Sequence, residues 1–367
     1  MFVFSTLQFV ISPKIIVWQL TILATEFGQW LAVITFIGIG SQIYLSSPSR
    51  LVRPTVFLTV IACLLFLWPS AQMLLKKDNW INEISRNFKI QGPPPPSPSF
   101  AGLWSGVAPF SRVSPQTISF KPSADLLMDF YRAPEVSNAP WLLVIHGGGW
   151  DSGDRSQLPE FNSVAARAGI SVFSLDYRLA PQWKWPAAKE DILDAVKFIK
   201  GHSAEYGVDV HRFAVLGRSA GGQLAELLAY QNHDSDLKGV IGFYAPSDMN
   251  FAYKWGKEDD ILESRKLLRN FMGGTPEEIP HLYIDASPLN FVNAQSPPTL
   301  LFHGPNDSLV WVRHSRRLNE KLLSLGRLSL LIELPWATHG FDFSLHGPGG
   351  QVSTFAVLYF LQHVFEK

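Results

Sequence analysis

The sequence predicts an α/β fold, a mostly parallel central sheet flanked by helices, preceded by two transmembrane helices. Three observations carry this. Beyond residue 114, apolar runs of strand length alternate with helix-length ones, the pattern of a parallel sheet covered on both faces. Glycine-rich stretches sit directly after several of the strand-like runs. Ahead of them, residues 27–45 and 55–75 carry no charge, and at about 1.5 Å per residue each run is long enough to cross a hydrocarbon core of roughly 30 Å.

The chain of 367 residues is 47% hydrophobic, enough for a large core, and its formal net charge of +0 leaves no basic surplus that would favour nucleic acid. Cys63 is the single cysteine, so neither an intramolecular disulfide nor a cysteine-based metal cluster is expected.

Residues 1–90 read as a membrane-anchoring region. A polar turn from Ser46 to Arg50, followed by Arg53 and Pro54, separates the two spans, and Lys76 and Lys77 close the second. Trp30, Tyr44 and Trp68 lie near the span ends, where aromatic rings favour the interface. The opening run Phe2 to Ile11 is set off from the first span by Pro13, Lys14 and Glu26, and reads as interfacial or as an extension of that helix. In a hairpin both ends share one side, and Lys14, Lys76, Lys77, Arg86 and Lys89 outnumber Arg50 and Arg53 there, which places the following domain on the cytoplasmic side.

Residues 91–113 are expected to form a linker. Its run Gly92-Pro93-Pro94-Pro95-Pro96-Ser97-Pro98-Ser99 lacks backbone donors and has fixed φ angles, so it should be an extended spacer between membrane and enzyme. The catalytic domain then spans 114–367. Thr117 to Phe120 and Leu126 to Tyr131 suggest an opening antiparallel pair; further strands are expected at 141–145, 170–175, 212–216, 239–243, 299–302 and 328–334. Helices are expected at 160–168, 187–200, 220–230, 311–325 and 352–365. Residues 249–290 hold no strand-like run and read as a lid or pocket wall.

The chemistry is carried by loops at strand ends. Gly217-Arg218-Ser219-Ala220-Gly221-Gly222 places a serine on a sharp strand-to-helix turn, where flanking side chains would collide with neighbouring backbone. A glycine-flanked serine also arises as a plain loop or helix cap, so its partners decide. His146-Gly147-Gly148-Gly149-Trp150 follows the strand ending at Ile145 and lets backbone amides approach a substrate oxygen; with the amide of Ala220, Gly148 and Gly149 supply an oxyanion hole. The Lys-Ser/Thr of a phosphate-binding loop does not follow these glycines, and His146 suits a structural role. Asp307 follows a Gly-Pro turn after the strand 299–302, and is either a turn or cap residue or the acid that orients a base. His339 alone among ten histidines combines a late strand-end loop with a position after both serine and acid; His202, His211, His233, His281, His346 and His363 read as solvated. The order Ser219, Asp307, His339 is that of an α/β-hydrolase.

These motifs, with Asp176-Tyr177-Arg178-Leu179-Ala180-Pro181, Trp185-Pro186-Ala187-Ala188 and Gly273-Gly274-Thr275-Pro276-Glu277, resemble the hormone-sensitive-lipase-like and acetylesterase group of α/β-hydrolase carboxylesterases over residues 115–367. The resemblance implies Ser219 as nucleophile, His339 as base, Asp307 as its orienter, and hydrolysis of small or moderately apolar carboxylic esters through an acyl-enzyme, with no metal or organic cofactor. Arg218 stands where many members of the group carry an acidic residue, which bears on substrate preference. Trp150, Trp183, Phe251, Tyr253 and Trp255 suggest an apolar pocket, with Trp150, Arg218, Phe251 and Tyr253 as candidate substrate contacts. Two other outcomes fit the same residues: a membrane-tethered binding protein that keeps the fold without the chemistry, and an acyltransferase that passes the acyl group to an acceptor other than water.

Overall fold

The computed structural model describes residues 1–45, 52–90, 92–105 and 112–366. The expected turn from Ser46 to Arg50 lies outside the described residues. Eight strands form one sheet: β1 (Gln116–Lys121), β2 (Leu126–Tyr131), β3 (Ala139–Ile145), β4 (Ser171–Leu175), β5 (Val208–Arg218), β6 (Leu237–Phe243), β7 (Thr299–His303) and β8 (Ser329–Glu333). Their spatial order is β1-β2-β4-β3-β5-β6-β7-β8. The pairs β1–β2 and β2–β4 are antiparallel, and every pairing from β4 across to β8 is parallel.

The apolar strands are continuous because both faces are covered. On β3, Trp141, Leu143 and Ile145 point into one core with Phe213 and Val215 of β5, while Leu142 and Val144 point into the other with Ala214 and Leu216. Trp141 stacks on Phe213 with centroids 4.4 Å apart, a pair worth about 0.5–1.5 kcal/mol beyond its burial.

The helices are α1 (Phe2–Ser5), α2 (Ile15–Glu26), α3 (Gly28–Leu45), α4 (Val52–Phe88), α5 (Gly102–Ser105), α6 (Pro159–Arg167), α7 (Ala187–Gly201), α8 (Ser203–Tyr206), α9 (Ala220–Gln231), α10 (Met249–Trp255), α11 (Ser264–Met272), α12 (Pro280–Asp285), α13 (Arg313–Ser324) and α14 (Pro348–Glu366). Thus the 249–290 insertion is helical, built from α10, α11 and α12. His363, expected to be solvated, is buried on α14, because that helix packs its whole length against the sheet and α4.

The N-terminal region differs from expectation in three ways. Among the described residues α4 alone is long and apolar enough to cross a membrane by itself; α2 and α3 qualify only as a pair, bent by 84° at Phe27. Helix α4 does not end at Lys76 and Lys77 but runs on to Phe88, because its last turns find apolar partners: Trp80 meets Trp336 edge-on, Phe88 meets Phe360, and Ser85 Oγ lies 2.7 Å from Tyr359 Oη. The proline-rich segment carries no helix or strand, yet it does not hold the N-terminal helices away. It lies along α14, where Ser99 N donates to Gln351 Oε1 at 3.0 Å, and α5 beyond it meets α3 through Trp104 on Trp30.

Candidate active site

Ser219 follows directly on β5 and precedes α9, with φ 53° and ψ −119°, a conformation that costs a non-glycine residue of order 1–3 kcal/mol. The surroundings enforce it. Ser219 N donates to Phe243 O at 2.9 Å, and a Cβ on Gly217 or Gly221 would run into the backbone carbonyls of Gly221 and of Ile145 and His146 respectively. The turn therefore lifts the hydroxyl out at the C-terminal edge of the sheet.

Three strand-end loops converge there. His339 Nε2 lies 3.0 Å from Ser219 Oγ, and His339 Nδ1 lies 2.7 Å from Asp307 Oδ2. Asp307 is buried, and its Oδ1 accepts the amides of Leu309 at 2.8 Å and Val310 at 2.9 Å. Burial alone would push this carboxyl up; the facing charge of His339 and hydrogen bonds from His303 and His339 outweigh it and hold Asp307 well below the usual carboxylate range. His303, at the end of β7, is a residue that sequence reasoning passed over. Its Nε2 donates to Val310 O at 2.9 Å and lies 3.2 Å from Asp307 Oδ2, while its Nδ1 lies 2.7 Å from Ser315 Oγ. The signal was its place, a strand-end histidine four residues before the acid.

Gly148 and Gly149 have φ of 119° and 61°, and neither position has room for the strain a side chain would add. The Gly147 amide is taken by Gln157 Oε1 at 2.9 Å, but within the described residues the amides of Gly148 and Gly149 have no acceptor, and the Ala220 amide opens α9. His146 is buried beneath this loop, its ring stacked on Tyr177 with centroids 4.3 Å apart, and burial pulls its pKa down. It is placed to shape the loop.

The site lies in a cavity of about 910 Å³. Trp150 and Phe251 line it, as does Trp255. Trp150 is fixed by stacking on Phe271 and by donating Nε1 to Gln223 Oε1 at 3.0 Å. The expected contacts of Tyr253 and Arg218 are not what the structure has. Tyr253 packs edge-on against Tyr283, away from the cavity lining, and Trp183 is likewise outside it. The guanidinium of Arg218 is buried behind the serine, where Nε donates to Asp342 Oδ2 at 2.5 Å and the group lies 5.2 Å from the Phe161 ring and 5.1 Å from the Phe243 ring. A permanent charge in an apolar interior needs such a partner, and Asp342 also accepts Tyr244 Oη at 2.5 Å. A second histidine on the wall, His314, is pulled down to about 3, chiefly by burial and then by the charges of His303 and Arg317.

One wall comes from outside the expected catalytic domain. Ile11, Ile15, Trp18 and Ile22 line the cavity, and Trp18 Nε1 donates to His339 O at 2.9 Å.

Comparison with known proteins places this arrangement in a family. The family model described as BD-FAE matches residues 128–322, more than half of the chain. The chain belongs to the BD-FAE family. This BD-FAE chain is 30% identical over 257 residues to a probable carboxylic ester hydrolase, LipM, of Mycobacterium tuberculosis, covering 65% of this chain and 58% of that one. It is 31% identical over 259 residues to the esterase LipC of the same organism, covering 65% and 62%. It thus spans about three fifths of the length of these relatives. Among solved structures, a thermophilic esterase from Thermogutta terrifontis matches with a TM-score of 0.52 at 24% identity, covering 62% of this chain and 84% of that one. A truncated carbohydrate esterase from gut microbiota matches with a TM-score of 0.59 at 20% identity, covering 71% and 100%. The fold of this BD-FAE member is accordingly that of the α/β-hydrolases.

Proposed function

We propose that the chain is a membrane-anchored serine carboxylesterase. The observation that carries this reading is the hydrogen-bonded series Ser219–His339–Asp307, at 3.0 and 2.7 Å, set beneath the amides of Gly148, Gly149 and Ala220. Relatives named as ester hydrolases support the reaction class.

Ser219 Oγ attacks the ester carbonyl carbon while His339 Nε2 takes the hydroxyl proton. The carbonyl oxygen becomes an oxyanion held by the three amides. Collapse expels the alcohol, which receives the proton from His339, and leaves an acyl-serine. A water molecule then gives its proton to His339 and attacks the acyl carbon, and the serine leaves with that proton as the acid is released. Asp307 holds the imidazole with Nδ1–H toward it, leaving Nε2 free to face the serine.

Helix α4, paired with α3, anchors the enzyme in the bilayer. Gly28 lies against the carbonyl of Phe66, and Cys63 Sγ lies 3.6 Å from Ala32 O, so the two helices touch closely. The basic residues Lys14, Lys76, Lys77, Arg86 and Lys89 favour the cytoplasmic face for the catalytic domain.

The test is hydrolysis of short p-nitrophenyl esters by detergent-solubilised protein and its Ser219→Ala variant, with fluorophosphonate labelling of both. Loss of at least a thousandfold in kcat and loss of labelling in the variant are expected; equal turnover by the two proteins would refute the assignment. An added alcohol or amine acceptor, with product analysis, distinguishes hydrolysis from acyl transfer.

A further inference from the structure

The mouth of the cavity differs from its floor. Seven of its lining residues are exposed, and five of them are large and apolar: Ile11 (67% exposed), Ile15 (47%), Trp255 (54%), Trp311 (39%) and Phe343 (65%). The other two, Asp151 and Ser152, lie on the oxyanion side. Single exposed apolar residues are ordinary, but a mouth rimmed by them marks a surface with a partner.

The partner is indicated by what the rim continues into. Phe9, Val10 and Ile16 extend the exposed apolar surface from Ile11 and Ile15, and Lys14 is the one charge before Glu26. At Phe27 the chain turns by 84° into α3, whose Phe36 is exposed, and α3 pairs with α4, whose Phe57 and Leu64 are exposed. If α3 crosses a bilayer, α2 lies along its surface. Across the mouth, the aromatic rim carries cations in the arrangement suited to lipid phosphates: Arg313 sits 4.1 Å from the Trp311 ring and Lys254 5.7 Å from the Trp255 ring.

We propose that the cavity opens onto the bilayer surface, with the rim of Ile11, Ile15, Trp255, Trp311 and Phe343 seated in the lipid interface, so that the substrate is an ester with a long acyl chain that enters from the lipid phase. This rests on the esterase and membrane readings above and names the substrate class for that site. The acyl chain passes from the lipid along Ile11, Ile15 and Trp18 to the serine, without crossing water.

The experiment uses the full chain with Cys63→Ser, reconstituted in phosphatidylcholine nanodiscs. Single cysteines, Ile11→Cys, Phe343→Cys and Lys197→Cys, carry an environment-sensitive fluorophore; Lys197 is an exposed residue of α7 outside the cavity lining. Spin-labelled lipid is expected to quench positions 11 and 343 at least twofold more than position 197. Equal quenching at all three overturns the proposal. In the same nanodiscs, the ratio of kcat/KM for a dodecanoyl ester to that for a butanoyl ester is expected to fall at least fivefold in Ile11→Asp and in Phe343→Asp. An unchanged ratio in both variants overturns entry from the lipid phase. A wild-type chain that turns over neither ester removes the hydrolase reading, while the quenching still decides where the mouth sits.

Discussion

Trp18 Nε1 donates to the carbonyl oxygen of His339 at 2.9 Å, joining residues 321 apart in sequence. It is one of several grips by the N-terminal segment on the loops that carry the acid and the base. Asn306 Nδ2 donates to Gln8 O at 3.0 Å, and Gly340 lies against Ile22 and Trp18. A loop held from outside the catalytic domain loses alignment when that hold is cut. Trp18→Phe removes the donor and keeps most of the ring, and a net hydrogen bond of about 1 kcal/mol converts to roughly fivefold in kcat. Trp18→Ala also empties part of the wall and is expected to lose at least tenfold. Steady-state kinetics on a short ester check this; wild-type kcat in both variants would show the contact to be incidental.

Asp307 works by keeping one tautomer of His339. Asp307→Asn preserves shape and the acceptor for Leu309 and Val310, but presents an amide where a carboxylate accepted from Nδ1. By analogy with the same change in a serine protease triad, kcat should drop roughly ten-thousandfold while the fold survives. Thermal melting and fluorophosphonate labelling rate, measured together, separate the two effects. A mild loss of activity would remove Asp307 from the triad.

Arg218 and Asp342 face each other with side chains 4% exposed, so neither charge can turn to water. Arg218→Met leaves Asp342 buried with Tyr244 as its remaining side-chain partner, and is expected to cost about 3–5 kcal/mol. The double variant Arg218→Met/Asp342→Leu should be less destabilised than Arg218→Met alone, because it leaves no charge behind. Urea midpoints decide; strict additivity would mean the pair is not coupled.

The strands and the site loops were legible because both follow local rules. A both-faces-buried strand such as Leu142 to Ile145 is apolar throughout, and the glycines around Ser219 are imposed by carbonyls that a Cβ would strike. What stayed hidden depends on contacts distant in sequence. Trp18 reads as one more apolar residue before a span until His339 O is set beside it, and Arg218 reads as a solvent-facing cation at a substrate pocket until Asp342 appears 124 residues later. The extension of α4 past Lys76 and Lys77 was likewise invisible, since its support comes from Phe360 and Tyr359 at the far end of the chain.

Glu26 gives this long-range hold a pH dependence. Its carboxylate sits wholly buried at the end of α2, where Oε2 accepts Gly349 N at 2.8 Å and Oε1 accepts Trp336 Nε1 at 3.2 Å. Burial pushes its pKa up from 4.5 to about 8, against the smaller opposing effect of those two donors, with nearby Asp342 adding to the rise. The folded chain therefore holds this proton through a range in which the unfolded chain has released it. Stability from this group is complete below pH 4.5 and is lost as pH rises through about 8. Glu26→Gln cannot titrate, although it gives up one of the two acceptors. Melting temperatures of wild type and variant between pH 5 and 9 are expected to converge or cross, the variant gaining a few degrees on the wild type as pH rises. Because every other group titrates alike in both proteins, a constant difference across that range would mean that Glu26 is ionised throughout and that its hold on the Trp336 and Gly349 backbone is independent of pH.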